Sequence, residues 1–332
     1  MKKIKFKDIA KMAGVSTTTV SHIFNGNVDR HRISDHTRLK VINIARQYQH
    51  QPNIQRAIIK ATRTKTIGVI VPDMSNISFS LFLHKLETIA SQKGIQLLIA
   101  CSHYDSTQEI TSAQNLLQRK VDGIITITSL IDDNFYKQIQ EETPVLFYDR
   151  YIHNSNIPCV TSESIQSVAD LVAKKAKVLG EFYFLAADSQ LSTINERLIG
   201  FKQGIQQAGL TINSDWILCE QYQENIGYYL TEKLVATLGR IPKAIFTPSG
   251  NLLEGVLLYL KQQQVKRQDI YLCSYDYNLY HNLLCYDVDI IAQNYDNMVK
   301  ICFRSIQSLI ERKQLKQQLT YIKPRTIYYN QQ

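Results

Sequence analysis

The chain has 332 residues, 44% of them hydrophobic and 20% charged, with a formal net charge of +9. That length supports two or three compact units, and no apolar run approaches the ~20 residues of a membrane-spanning helix. Cys101, Cys159, Cys219, Cys273, Cys285 and Cys302 show neither metal-ligand nor disulfide spacing, so they read as buried, reduced core thiols of a cytoplasmic protein.

The charge is unevenly placed. Residues 1–65 hold 14 Lys and Arg against Asp8, Asp29 and Asp35, a net of +11, and taking this from +9 leaves −2 for residues 66–332. Asp8 and Lys11 interrupt the start of the chain, so no signal-peptide core is expected there. A positive balance confined to one end is the footprint of a segment that neutralises phosphates.

Within that segment, Asp8 to Gly26 predicts two short helices about a tight turn. Ile9 and Ala13 lie four apart on one face of the first, and Val20 with Ile23 and Phe24 repeats the pattern in the second. Ala10 allows a close crossing, Gly14 can end a helix in the left-handed conformation, and Ser16 can cap the next. Together these predict a helix-turn-helix, whose second helix enters the DNA major groove. After a loop from Asn25 to Arg32, Ser34 caps a third helix with Val41, Ala45 and Tyr48 on its buried face. Gln51-Pro52-Asn53 ends it, because proline disfavours helical geometry in the preceding residue. A short helix from Asn53 to Ala61, containing Arg56, Ile58, Ile59 and Lys60, is too short to be stable without a partner.

From Thr66 the pattern changes to buried strands alternating with amphipathic helices. Expected strands are 67–71, 95–100, 123–128 and 145–148, then a second set at 182–186, 216–219, 244–247, 270–273 and 290–292. Expected helices include 79–93, 108–120, 194–208 and 252–264. Such alternation predicts parallel sheets covered on both faces, here as two lobes with a cleft between them. No internal repeat is visible in the sequence.

Ligands of parallel sheets bind beyond the carboxyl ends of the strands. At those ends stand Pro72 to Phe79 (with Ser78), Asp149-Arg150, Pro248-Ser249-Gly250-Asn251, Ser274-Tyr275-Asp276 and Gln293, and Arg197 lies near the start of a helix. For any single one a strand-end cap or a structural salt bridge is the simpler role; their convergence points to a binding cleft. Asp149 and Asp276 suit hydroxyl recognition better than acid–base work. No P-loop or G-x-G-x-x-G follows a strand, and no nucleophile–base pairing is seen, so no enzyme, metal or cofactor is expected.

The segments Asp8–Gly26, Gln51-Pro52-Asn53 and Arg63 to Asp73 resemble the lac-repressor family of bacterial transcription regulators, and the resemblance covers essentially the whole chain. Leu97 to Ser102, Leu116 to Asp122 and Asp149-Arg150 are similar to its fructose- and sucrose-repressor branch. The resemblance implies an all-α helix-turn-helix headpiece (1–50), a hinge helix and linker (51–64), and an α/β effector-binding and dimerisation domain of periplasmic-binding-protein type (65–332). Its N-lobe is expected at about 65–160 plus 293–322, and its C-lobe at about 161–292 plus 323–332.

The implied partners are pseudo-palindromic double-stranded operator DNA, a sugar or sugar phosphate such as fructose or fructose 1-phosphate, and a second copy of the chain. The absence of a leucine heptad after Lys323-Pro324-Arg325 favours a homodimer over a tetramer. The expected place of action is the cytoplasm, at the nucleoid, with no membrane contact. By position Thr17, Thr18 and His22 face base edges, while Ser16, Thr19, Ser21 and Asn25 face phosphates. His22 departs from the arginine common in relatives, which alters the expected half-site because His cannot grip guanine bidentately. Ile59 holds the place of a minor-groove wedge, and it and Arg56 depart from the usual leucine and small residue. Ser78, Phe79, Asp149, Arg150, Arg197, Ser249, Asp276 and Gln293 fall in the effector cleft, with Phe79 and Tyr275 as stacking faces. Relatives with another sugar or a purine as effector are the alternative, the arginine pair disfavouring a purine; an exported sugar-binding protein that feeds a transporter shares the two-lobed fold but not the basic headpiece.

Overall fold

The computed structural model describes residues 4–25, 28, 31–48, 63–187, 190–277, 281 and 283–329. At the N-terminus, α1 (Phe6–Ala13), α2 (Thr17–Phe24) and α3 (Asp35–Arg46) form a three-helix unit. Gly14 stops α1 with φ 69°, its N–H reaching Ala10 O, and Val15 N also donates to Ala10 O at 3.0 Å. Ser16 and Ser34 cap the next two helices, accepting from Thr19 N at 2.9 Å and Thr37 N at 3.3 Å. Ile9, Ala13, Val20, Ile23, Val41 and Ala45 close one core, with Tyr48 half-buried at its edge. The expected hinge helix, with Arg56 and Ile59, lies outside the described residues.

The first lobe contains β1 (Thr66–Val71), α4 (Ile77–Gln92), β2 (Gln96–Cys101), α5 (Ser106–Gln118), β3 (Gly123–Thr126), α6 (Asn134–Ile139), β4 (Val145–Tyr148) and β5 (Cys159–Ser162). The second contains α7 (Ile165–Leu179), β6 (Tyr183–Ala187), α8 (Ser192–Gln207), β7 (Ile217–Glu220), α9 (Ile226–Leu238), β8 (Ala244–Thr247), α10 (Gly250–Gln262), β9 (Tyr271–Tyr275) and β10 (Val288–Ala292). Next, α11 (Tyr295–Ile310) packs back on the first lobe's core. Finally β11 (Leu319–Ile322) joins the first sheet and β12 (Arg325–Ile327) the second. The chain thus passes between lobes at 163–164, 293–294 and 323–324, so the two lobes share a three-strand hinge.

Strand order is β11-β5-β4-β3-β1-β2 in one sheet and β12-β10-β9-β8-β6-β7 in the other. Replacing each of β1 to β5 and β11 by its counterpart β6 to β10 and β12 turns the first order into the second. The lobes are therefore a topological repeat, although the sequence displays none. All pairings are parallel except β10–β12. That antiparallel edge corrects the expectation of wholly parallel sheets; β12 is three residues long and enters directly from the hinge. The thiols also differ from expectation: Cys159, Cys273 and Cys302 are buried, Cys101 and Cys219 half-buried and Cys285 exposed, all six free. Among the described residues no helix is long and apolar enough to cross a membrane.

Helix α8 carries Glu196 and Arg197 and lies flush on α7 through Gly200 and Gly204. A Cβ on Gly204 would fall 2.7 Å from Val172 Cβ and 2.8 Å from Ala169 O, and one on Gly200 would run into the Ile165 carbonyl. Neither helix backbone can retreat without opening the core beneath it. Gly204→Ala is expected to destabilise the protein by about 1–3 kcal/mol through overpacking, read as a thermal midpoint lowered by several degrees. An unchanged midpoint would show that the helix pair is not tightly set.

Candidate functional site

On the headpiece, Val20, Ile23 and Phe24 bury one side of α2. Thr18, His22 and Asn25, spaced four and three apart, therefore share the opposite side. Thr17, Thr18 and Asn25 are exposed, and Thr19, Ser21 and His22 are half-buried. Some of these side chains already have local partners. Ser16 Oγ and Thr19 Oγ1 are 2.8 Å apart, Asn25 Nδ2 donates to Ser21 Oγ at 3.2 Å, and the His22 ring stacks on His31 with centroids 3.6 Å apart. The surface that remains is a short polar strip on a basic unit.

Between the lobes lies a cavity of about 590 Å³. Ser78, Phe79, Asp149, Arg150, Arg197, Ser249, Asp276 and Gln293 all line it. The fold explains the gathering. The ends of β4, β8, β9 and β10 deliver Asp149-Arg150, Ser249, Asp276 and Gln293, the first turn of α4 delivers Ser78 and Phe79, and the second turn of α8 delivers Arg197. Asn76 starts α4 by accepting from Ser78 N at 2.9 Å. Asp149 and Asp276 each follow a tyrosine at the ends of the topologically equivalent β4 and β9. Both are left-handed, with φ 64° and 74°, a conformation that aspartate tolerates better than most residues.

Arg197 lies over the Tyr275 ring at 3.7 Å and donates from Nη1 to Pro248 O at 2.5 Å. Tyr275 itself is fully buried, with its hydroxyl 2.9 Å from Ser162 Oγ. It is thus the seat of Arg197 and not the stacking face expected of it, because the arginine covers the ring. Arg150 lies between Phe79 and Tyr104, its guanidinium carbon 5.6 Å from each ring centroid. Gln293 Nε2 donates to Asp276 Oδ1 at 2.6 Å, and Tyr295 OH donates to the same oxygen at 3.2 Å.

What distinguishes the cavity is its unused hydrogen-bonding capacity. Tyr148 OH, Asp149 Oδ1, Arg150 Nε and Nη1, Arg197 Nε and Nη2, and Gln293 Oε1 are buried with no hydrogen-bond partner among the described residues. Each such atom costs about 1–3 kcal/mol when left unsatisfied. Burial raises the Asp149 carboxyl above its ordinary value; Arg197 opposes the shift and Asp276 adds to it. Burial works against the Arg197 charge, yet Asp276, Tyr275 and Asp149 hold its guanidinium above the ordinary arginine value. The set presents fixed cationic donors beside carboxylates, which suits a ligand with hydroxyls and an anionic group.

Sequence reasoning missed Tyr104, Tyr148, Tyr222 and Tyr295, which also line the cavity. Tyr148 and Tyr295 flank residues that were selected, and Tyr104 and Tyr222 follow β2 and β7. Extending the strand-end rule to every strand would have found the last two.

Two further contacts tie the cavity's walls to the rest of the molecule. Glu196, next to Arg197 in the chain, accepts at Oε1 from Tyr151 OH and Tyr321 OH, both at 2.7 Å. This bond spans the lobes. At the entry to the first lobe, Thr64 N and Lys65 N donate to the Asp122 carboxylate at 2.8 Å each, and Arg63 Nη2 donates to Ile310 O at 3.2 Å. The segment arriving from the headpiece is therefore fastened to the first lobe.

Residues 5–53 match the family model for bacterial regulatory proteins of the lacI family, and residues 67–314 match a periplasmic binding protein domain. The chain is 36% identical over 311 residues to the sucrose operon repressor of Klebsiella pneumoniae, covering 93% of each. It is 31% identical over 330 residues to the catabolite repressor/activator of Escherichia coli strain K12, covering 98% of each. The fructose operon regulatory protein of Vibrio cholerae is 30% identical over 87% of this chain and 89% of that one. Among solved structures, the Cra transcriptional dual regulator from Pseudomonas putida, in complex with fructose 1-phosphate, is similar with a TM-score of 0.72 and 25% identity, over 80% of this chain and 99% of that one. The chain belongs to the lacI family of bacterial regulatory proteins: it regulates transcription through DNA and is not an enzyme.

Proposed function

We propose that the protein represses an operon for sucrose or fructose use, and that a phosphorylated sugar such as fructose 1-phosphate in the interlobe cavity controls its grip on operator DNA. The observation that carries this reading is the arginine pair. Two buried guanidiniums with four unpartnered nitrogens face one cavity, an arrangement that favours a ligand with a dianionic group. Arg150 and Arg197 hold the phosphate. Asp149, Asp276, Gln293, Ser78 and Ser249 take the hydroxyls, and Phe79 covers a face of the sugar. Relatives named for sucrose and fructose operons, and a fructose 1-phosphate complex of a similar regulator, support the choice of ligand.

On DNA, Thr17, Thr18 and His22 read base edges in the major groove. Ser16, Thr19, Ser21 and Asn25 meet phosphates, and hinge residues Arg56 and Ile59 enter the minor groove at the centre of a pseudo-palindromic site. The protein acts as a homodimer at the nucleoid, in the cytoplasm. Ligand bridging the lobes shifts the first lobe relative to the second. The Asp122 and Ile310 contacts carry that shift to residues 63–65, so the spacing of two hinges in a dimer follows the state of the cavity.

Calorimetry tests the ligand. Wild-type protein is expected to bind fructose 1-phosphate at least tenfold more tightly than fructose or sucrose. Arg150→Gln should lower fructose 1-phosphate affinity by about ten- to a hundredfold, the worth of one charge-assisted hydrogen bond, and fructose affinity far less. Equal affinities for sugar and sugar phosphate would contradict the reading.

A second test uses stability. The native state holds the Asp149 proton to higher pH than the unfolded chain does. Ionising this carboxyl therefore costs native stability as pH rises above the ordinary value of 3.8. Asp149→Asn should raise the thermal midpoint of ligand-free protein, by more at pH 8 than at pH 4.5, while weakening sugar phosphate binding. A variant less stable than wild type at pH 8 would show that the carboxylate is structural.

A further inference from the structure

Tyr104 follows β2 and Tyr222 follows β7, strands that occupy equivalent places in the two sheets. Their rings meet across the mouth of the cavity, centroids 4.8 Å apart and planes tilted by 31°. Both residues line the cavity. The loop carrying Tyr104 is held in an uncommon form, since His103 and Tyr104 are consecutive left-handed residues with φ 53° and 60°. Backbone strain of this kind persists where the surroundings impose it and gathers at ligand clamps. Tyr222 is 41% exposed, so its ring is not part of the second lobe's core, and the aromatic ring it meets belongs to the other lobe.

Tyr104 has further neighbours. The ring packs against the first lobe's core and, on the cavity side, lies 5.6 Å from the Arg150 guanidinium, which Phe79 also flanks. Phe79, Arg150, Tyr104 and Tyr222 thus form a column running from the first lobe's helix to the second lobe's rim. The one cationic member has two unpartnered nitrogens.

We propose that Tyr104 and Tyr222 are a ligand-dependent clasp: an anionic group on the ligand fixes Arg150, Arg150 fixes the Tyr104 ring, and Tyr104 holds Tyr222 and with it the second lobe. The proposal rests on the reading of the cavity as a sugar phosphate site. The clasp adds to the closed state and not to the open one, so it acts on the rate of ligand release. Being at the rim, both tyrosines are positioning residues for closure, distinct from the arginines and carboxylates that take the ligand's polar groups.

The test measures fructose 1-phosphate dissociation constants and off-rates for full-length wild type, Tyr104→Leu, Tyr222→Leu, the double variant and Tyr222→Phe. Each single leucine variant should speed release by about three- to tenfold, the scale of one aromatic pair. The double variant should be no more than about twofold worse than the worse single, because either change already removes the contact. Tyr222→Phe keeps the ring and should remain within about twofold of wild type. Multiplicative effects in the double variant, or release unchanged in both singles, would overturn the clasp while leaving the ligand assignment standing. Wild-type protein that binds no fructose 1-phosphate would overturn the ligand assignment, and the clasp with it. Should Tyr104→Leu fold poorly, Tyr222→Leu against Tyr222→Phe decides: faster release in the first alone supports the clasp, and equal release in both overturns it.

Discussion

The structure is organised around a set of charges buried without full compensation. Asp149, Arg150, Arg197 and Asp276 meet where two sheets end, and several of their donors and acceptors find no partner among the described residues. A fold selected for stability alone would fill such a place with apolar side chains, since isolated buried polar groups cost far more than they return. Here the rest of the chain holds the set in position. Tyr275 and the Pro248 carbonyl fix Arg197, Phe79 and Tyr104 flank Arg150, and Gln293 and Tyr295 orient Asp276. Pre-orientation of this kind leaves the unsatisfied atoms facing the cavity, so that a ligand of the proposed kind would need little rearrangement of the site.

On the proposed reading, the two-lobed frame turns that local arrangement into a switch. Each lobe has its own core, and three short crossings join them. The lobes can therefore shift as bodies while their sheets stay intact. Glu196 with Tyr151 and Tyr321 bridges them near the crossings. Ligand in the cavity adds a second set of bridges on the far side. Because Asp122 grips Thr64 and Lys65, movement of the first lobe reaches the headpiece linker through backbone hydrogen bonds. Flush packing of α8 on α7 at Gly204 ties the helix that carries Arg197 to its neighbour in the second lobe.

Most of the cleft was legible in the sequence for a simple reason. Buried parallel strands announce themselves as short apolar runs, and the residue just past each run is where a ligand is met, so Asp149, Asp276 and Gln293 followed from strand endings alone. Arg197 needed only the start of a helix. The strands that escaped notice, β5, β11 and β12, span four residues or fewer and mix polar with apolar side chains, too little for periodicity to register. Tyr104 and Tyr222 were passed over because aromatic residues near strand ends resemble core. Tyr275 was misjudged as a stacking face because sequence does not show which neighbour reaches a ring first. The topological repeat left no trace either, since strand order depends on burial patterns that many sequences satisfy.

The central claim is that the cavity and the operator share one equilibrium. It is tested most directly by measuring fructose 1-phosphate affinity with and without saturating operator duplex, and operator affinity with and without saturating fructose 1-phosphate. Linkage requires the two factors to be equal, and a working switch places them at about 5- to 150-fold. A sugar phosphate affinity that operator leaves unchanged, or two unequal factors, would contradict the account.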